Sequence, residues 1–553
     1  MLQGLDIAII IAYLIATILI GLALRKKAQK SKDDYLLGGK DLPWYMLGLS
    51  NASGMFDISG TMWLVTLTFV YGLKSIWIPW LWPVFNQVFL MIFLATWLRR
   101  SQVTTGAEWI HFRFGKGKGG NRSHSIIVVF AILSCLGFLA YGFIGLGKFV
   151  EIFIPWDVVS AYIPFNVPAE YIPHFYGIIF TLFAVFYSIL GGMSGIVWTD
   201  VLQYSIMTIS SIAIAVIAWH AMGDNTLNVP EGWSNPLFGW ELDIDWTGII
   251  DEVNAKIASD QYSLFGLFFM LMVFKGILSS IAGPAPNYDM QKILSTKSPL
   301  EAAKMSAFSL AALIPTRYLM VGGFSILAIL FYDELRLETA GILDFEKILP
   351  AAIEQFVPVG LLGLLLAGLL AAFMSTFAGT LNAAQAYLVN DIYLKYNPEA
   401  SSKGVKNMNY GSGIIVVLIS IVLGFFVLDV NSILQWIVSA LYGSYVISNT
   451  LKWYWWRFNG EGYFWGMVSG IIPAMIIPLL TDTLDLYYFP VILVISLAGS
   501  IIGAYSFAPT SEKVLIDFYK KTKPWGFWKP ILEKVKKEDP QFEKNTNFSR
   551  DMF

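Results

Sequence analysis

Along most of the chain apolar residues run together instead of recurring on one helical face or alternating. A helix needs roughly 20 mostly apolar residues to cross a bilayer. Thirteen such runs stand near 6–24, 44–71, 76–98, 126–150, 173–190, 196–220, 263–283, 302–331, 358–390, 410–429, 432–451, 464–481 and 487–507. Polar residues collect between the runs, with two exceptions. The second run carries Ser50-Asn51-Ala52-Ser53-Gly54 at its middle, and the seventh ends in Ser279-Ser280-Ile281-Ala282-Gly283-Pro284-Ala285-Pro286. Small, hydroxylated and helix-breaking residues at those places predict broken helices, and paired breaks mark the midplane site of a transporter. The breaks open two blocks of five spans, 44–220 and 263–451, and the second block starts in the opposite sense. The pattern therefore predicts an all-α polytopic membrane protein of about thirteen transmembrane helices with a five-plus-five inverted repeat. Around it lie a first helix and loop (1–43), a loop (221–262), two peripheral helices (452–507) and a basic tail (508–553).

Charge gives the orientation, because Lys and Arg are retained on the cytoplasmic side. Arg25, Lys26, Lys27, Lys30, Lys32 and Lys40 follow the first run; Arg99, Arg100, Arg113, Lys116, Lys118 and Arg122 follow the third. Lys292, Lys297, Lys395, Lys403, Lys406 and the tail fall on the same side. The alternate connections are poor in cations: 151–172 has none, and 221–262 sets eight acids against Lys256. The N-terminus is predicted outside and the C-terminus in the cytoplasm, which an odd number of spans requires. Expected is a multi-pass protein of the cell's inner, or plasma, membrane. The first run is too long for a signal peptide and has no basic region before it, so it is read as a retained span. The basic, aromatic tail (Trp525, Phe527, Trp528) is read as a membrane-surface segment.

Composition narrows the chemistry. Only 14% of residues are charged and 56% are hydrophobic, against about 25% charged in soluble domains. A net charge of −2 offers nothing to a nucleic acid, and no obligate protein partner is evident. Cys135 is alone, so neither an intrachain disulfide nor a multi-cysteine metal site is expected. His111, His124, His174 and His220 are scattered over loops and span ends and form no metal cluster by sequence. No phosphate loop is present, so an ATP-driven pump is not expected. Nor is there a filter motif of the kind a channel requires. Neither an enzyme nor a channel is expected. Charges within spans are costly and mark function, which singles out Asp57, Lys275 and Arg317. Asp57 lies about one turn beyond Gly54 and Lys275 about one turn before Ser279, both toward the outside. The two should share a depth and could pair, either lining the outer wall of a solute cavity or only neutralising each other. Arg317 is read as snorkelling or meeting a carbonyl.

Four segments carry a resemblance. Asp34-Tyr35-Leu36-Leu37-Gly38-Gly39-Lys40 with Leu42-Pro43-Trp44 resembles the approach to the first core helix of sodium:solute symporters. Gly191-Gly192-Met193-Ser194-Gly195 through Gln203 resembles that family's signature between two core helices. Ala371-Ala372-Phe373-Met374-Ser375-Thr376, with Leu381-Asn382 and Asn390-Asp391-Ile392-Tyr393, is similar to its sodium-binding helix. Gln291-Lys292-Ile293-Leu294-Ser295-Thr296-Lys297-Ser298 resembles the loop after its second broken helix. The relatives include sodium/galactose, sodium/proline and sodium/sialic-acid symporters, and the resemblance implies a LeuT-type core. It also implies a sodium site of three carbonyls and two hydroxyls, which fall on Ser53, Phe56 and Ala372 and on Ser375 and Thr376. Asp200 matches an acid near the relatives' sodium exit path, one that helps hold a second sodium in some members; here it could equally be an N-terminal helix cap. That second site also uses hydroxyls where this chain has Ala378 and Gly379, with Thr380 close by, so one Na⁺ is expected.

The resemblance thus implies sodium-driven symport of a small polar solute by alternating access. Where galactose-transporting relatives place Gln, Glu, Asn and Lys on sugar hydroxyls, this chain has Gly60, Pro79, Ser279 and Leu313. An amino acid, carboxylate or other charged or zwitterionic metabolite is therefore the first expectation and a sugar the alternative. A transporter-like sensor without transport is a further alternative. The substrate-binding candidates are Asp57, Gly60, Trp82, Lys275 and Ser279, with Trp63, Trp77, Trp80, Asn86 and Gln87 nearby.

Overall fold

The computed structural model describes residues 2–28, 34, 37–56, 58–78, 86–103, 106–188, 192–284, 288–339, 342–426, 436–481 and 483–545. Helices dominate; the strands are one short hairpin, Glu338–Thr339 with Ile342–Leu343. The first run gives α1 (Gly4–Ala28) and the broken second run gives α2 (Trp44–Gly54) and α3 (Ile58–Tyr71), followed by α4 (Ala95–Arg100), α5 (Gly106–Phe114) and α6 (Lys118–Phe153). Then come α7 (Ile172–Ser188), α8 (Gly192–Asp224), α9 (Glu252–Asp260), α10 (Phe265–Ile281), α11 (Tyr288–Leu294) and α12 (Pro299–Leu330). The rest of the chain forms α13 (Ile348–Phe356), α14 (Leu361–Ala386), α15 (Ser402–Gly424), α16 (Tyr442–Tyr454), α17 (Gly460–Ile476), α18 (Asp485–Ser506), α19 (Glu512–Thr522) and α20 (Lys529–Glu538). Among the described residues seven helices are individually long and apolar enough to cross a membrane, or nine if each of two bent pairs counts as one.

Both predicted breaks are present. α2 and α3 meet at a bend of 61°. α10 stops at Ile281, Gly283 takes φ +94°, and helix resumes at Tyr288. α2 packs against α8 and α12, and α8 also packs against α14, so the first broken helix and the predicted sodium helix share one neighbour. The outer helix α1 is fastened to the same place. Asp6 Oδ1 accepts from the amides of Gly360 and Gly363, each at 2.8 Å, and so caps α14 where the helix dipole favours a carboxylate.

Between membrane helices small residues permit the backbone contact that supplies the attraction. On α6, a Cβ at Gly145 would lie 1.9 Å from Ser59 Oγ and one at Gly147 would lie 2.0 Å from the carbonyl oxygen of Pro173. α17 and α18 meet along Gly466, Gly470, Gly499 and Gly503, where Ser496 Oγ donates to the carbonyl of Gly466 at 2.9 Å.

Two segments do more than expected. The 221–262 segment is not a plain loop: α9 buries Val253 and Ile257, and the segment folds down onto the end of α3. The tail also packs on the protein: α19 lies on α5, and Phe518, Trp528 and Ile531 are buried, while Phe527 stays exposed.

Gly147→Ala should force α6 and α7 apart, since the obstacle is backbone. Overpacking of this kind costs about 1–3 kcal/mol, and thermal unfolding in detergent should show a lowered Tm with the helix content retained.

Candidate functional site

The first break is built from the sequence that predicted it. Ser50, Asn51, Ala52, Ser53 and Gly54 are all buried at the end of α2. The helix closes by tightening: the amide of Met55 reaches the carbonyls of Asn51 and Ala52, and that of Phe56 reaches Ser53 at 2.9 Å. The carbonyl of Gly54 is taken from outside, by Thr376 Oγ1 of α14 at 3.2 Å. Ala372, one turn earlier on α14, is buried, as is Phe56. Ser53 Oγ and Asn51 Oδ1 are buried and have no hydrogen-bond partner among the described residues. Thr376 is thus brought to the first break, with Ser53 and Phe56 flanking it in the chain and Ala372 one turn from Thr376 on α14. Ser375 precedes Thr376 on the same helix; its side chain lies outside those described. Carbonyl and hydroxyl oxygens are ligands that suit a hard monovalent cation. Thr380 Oγ1 donates to the carbonyl of Thr376 at 2.8 Å and so is bonded within its own helix, one turn on.

A second cluster lies beneath the break. Asp200 is no helix cap: α8 begins at Gly192 and Asp200 is fully buried two turns inside it. It accepts from Ser50 Oγ at 2.5 Å. Lys292 Nζ donates to the carbonyl of Ser50 at 2.8 Å and lies 3.8 Å from Asp200 Oδ2. A small cavity lined by Gly54, Thr376, Gly379 and Asn382 continues to Gln291 and Lys292. Sequence reasoning counted Lys292 as a loop cation; its burial came only with the fold, although the motif around it was recognised.

Two of the solute candidates, Lys275 and Ser279, lie on α10. Phe274 packs on Phe489, and Leu278 packs on Val446, Phe489 and Leu493, so that face is turned to α16 and α18. The other face carries Phe268, Met272, Lys275 and Ser279. Phe268 stacks on Tyr262 at 4.1 Å, and Tyr262 contacts Tyr71 of α3 at 5.5 Å, so this face is turned to the first broken helix. Lys275 is 2% exposed and has no carboxylate partner among the described residues. Ser279 Oγ and both amide atoms of Gln87 are buried and unpartnered among those residues. Gly60 is buried in the first turn of α3. Asp57, Pro79, Trp80 and Trp82 lie outside the described residues. Trp77 belongs elsewhere: its Nε1 donates to the carbonyl of Pro236 at 2.8 Å and its ring packs on Phe238 and Phe269. Arg317 is half-buried, with Nε unpartnered among the described residues.

The 225–262 segment closes this end. Trp233 Nε1 donates to the carbonyl of Phe69 at 2.9 Å and Trp246 Nε1 to that of Val70 at 3.0 Å, capping the last turn of α3. Lys74 Nζ donates to the carbonyl of Gly232 at 2.6 Å and meets Asp243 at 3.0 Å. Two of the scattered histidines come together at the tail-bearing end. His111 stacks on His124 at 4.6 Å, and His124 Nε2 lies 2.8 Å from Asp391 Oδ1. No cluster of three metal-binding side chains occurs among the described residues.

The sequence profile described as the sodium:solute symporter family matches residues 35–470. A sodium/glucose cotransporter of Vibrio parahaemolyticus is 24% identical over 440 residues, covering 76% of this chain and 74% of its own. Sodium/glucose cotransporter 4 of Danio rerio is 23% identical, covering 98% of this chain and 83% of its own. Among solved structures, a Na⁺-coupled sialic acid symporter in a substrate-bound outward-open state superposes with a TM-score of 0.64 at 18% identity, covering 92% of this chain and 99% of its own. That likeness shows the fold, an all-α LeuT-type core.

Removing Lys292 would take away a cation 3.8 Å from the buried Asp200, which keeps the Ser50 hydroxyl. Lys292→Met should destabilise the protein by about 3–5 kcal/mol, as for a broken buried pair. Asp200→Asn combined with Lys292→Met should recover a good part of that loss. Unfolding of the singles and the double in one detergent measures the coupling.

Proposed function

Because the chain belongs to the sodium:solute symporter family and is a sodium-driven symporter, we propose that one Na⁺ binds at the break between α2 and α3. Its ligands are the carbonyls of Ser53, Phe56 and Ala372 and the hydroxyls of Ser375 and Thr376. The observation that carries this reading is the Thr376 hydroxyl 3.2 Å from the Gly54 carbonyl, which brings the predicted helix to the predicted break. The positions of Ala378 and Gly379, and the hydrogen bond of Thr380 within its own helix, support a single ion. The cavity between Thr376 and Lys292 is the ion's way out, with Asp200 beside it. The tail-bearing end is cytoplasmic, the N-terminus is outside, and the membrane is the cell's inner, or plasma, membrane.

The solute binds between α3 and α10, against Lys275 and Ser279, with Gln87, Gly60, Asp57 and Trp82 as further candidates. A buried lysine on the face of α10 turned to the first broken helix favours a solute with a negative group, a carboxylate or zwitterion. A sugar is the second reading. It is favoured by the relatives, which are named as glucose cotransporters, and by the neutral Ser279 and Gln87. Sodium binds from outside, ties α2 and α14 together and steadies the outward-facing form. The solute follows, the bundle rocks, and both ligands leave inward. Coupling is the shared dependence of two sites on one conformational equilibrium.

Uptake into proteoliposomes under an inward Na⁺ gradient, against K⁺, across carboxylates, amino acids and sugars, tests the class. Thr376→Ala or Ser375→Ala should raise the Na⁺ concentration for half-maximal uptake at least about tenfold, some 1.4 kcal/mol. Unchanged Na⁺ dependence in both would remove the site. Lys275→Met should abolish uptake of an anionic or zwitterionic solute; accumulation of sugars alone, insensitive to that change, selects the second reading.

A further inference from the structure

Breaking α10 frees backbone carbonyls inside the membrane, and each must find a donor. Three of them are claimed by one neighbour. Tyr454 Oη donates to the carbonyl of Ile281 at 3.3 Å, Trp453 Nε1 to that of Ala282 at 3.2 Å, and Tyr445 Oη to that of Pro284 at 2.9 Å. All three donors are on α16. Gly283 stands between their acceptors with φ +94°, and a Cβ there would lie 3.2 Å from Trp453 Nε1. The indole is thus seated on the break itself, one turn from Ser279.

The end of α16 has its own unclaimed carbonyls, and the far end of the chain supplies their donors. Trp528 Nε1 donates to the carbonyl of Trp453 at 2.8 Å, and the amide of Phe527 donates to that of Tyr454 at 2.7 Å. Arg113 of α5 donates to the carbonyls of Lys452, Trp455 and Phe458 at 2.8, 3.1 and 3.2 Å. That guanidinium lies 5.1 Å from the ring of Phe518 and 4.9 Å from that of Trp528. Gly526 has φ +105°, and a Cβ on it would come within 2.5 Å of the Tyr454 carbonyl oxygen, so the tail is fitted to the helix end backbone to backbone. One line of hydrogen bonds therefore runs from Trp528 through Trp453 to Ala282. The family match ends at residue 470, well before this segment.

We propose that Trp453 and Trp528 are positioning residues of the transport reaction: the C-terminal segment fixes α16, and α16 fixes the break at residues 281–284 on which α10 moves. The inference rests on the reading that α10 borders the solute, and its test needs no solute. Full-length protein in proteoliposomes, in a Cys135→Ala background carrying Ser279→Cys, is treated with a charged, membrane-impermeant methanethiosulfonate reagent on the tail side. Trp528→Phe and Trp453→Phe keep an aromatic ring and lose the donor. Each should raise the labelling rate about tenfold in Na⁺, and the double variant should label no faster than the faster single, because both bonds lie on one line. Lys534→Gln, which removes an exposed ion pair to Glu512 inside the tail, should leave the rate unchanged. Unchanged labelling in both Phe variants overturns the proposal. So does a rise matched at a control cysteine on α17 together with a fallen Tm, which would mark the tail as a general brace. The uptake experiments with Lys275→Met decide the solute reading separately.

Discussion

The structure depends on one constraint of the bilayer interior: a helix can be interrupted there only if the carbonyls and amides it releases are taken up by something else. Each break in this protein is surrounded by donors from elsewhere in the chain. Thr376 of α14 reaches Gly54 at the first break, and Tyr445, Trp453 and Tyr454 serve the second. Indoles from the 225–262 segment finish α3. What remains unclaimed at the first break, among the described residues, is Ser53 Oγ and Asn51 Oδ1, both buried.

Charges obey a parallel rule. Lys148 pairs with Asp344 and Glu346, and Lys347 with Glu151. Arg122 pairs with Glu461 near the other end. These lie toward the ends of the bundle, where desolvation is partial. Deep in the bundle the arrangement differs: Asp200 and Lys292 share Ser50 between them, while Lys275 stands without a carboxylate partner among the described residues. A buried cation in that situation is expensive to keep, which is why the solute reading turns on it.

Much of this was legible in the sequence, for physical reasons. A run of apolar residues must be a helix in lipid, so the helical class and both breaks could be read from the order of apolar and polar residues, although thirteen spans were expected and seven to nine stand among the described residues. That Thr376 of α14 meets the first break agrees with the register the resemblance implied. What escaped depends on contacts between distant segments. Lys292 looked like any loop cation, and nothing local says that its ammonium is buried under Ser50. Asp200 looked like a cap because the start of its helix was placed too late. Of the tail aromatics, Trp528 is buried against the protein while Phe527 stays exposed, a difference that nothing local in the sequence announces. Trp77 was placed near the solute by its number, whereas its indole serves Pro236.

The cap on α14 has a consequence for how the chain is made. Asp6 and the amides it serves stand 354 and 357 positions apart. At roughly 5–20 residues per second, the carboxylate waits on the order of 20–70 s after its own synthesis for these partners. α8, which α1 also touches, is made well before α14. The packing of α1 on α8 can therefore form early, whereas the two hydrogen bonds of the cap must form late, after the rest of the first repeat is complete.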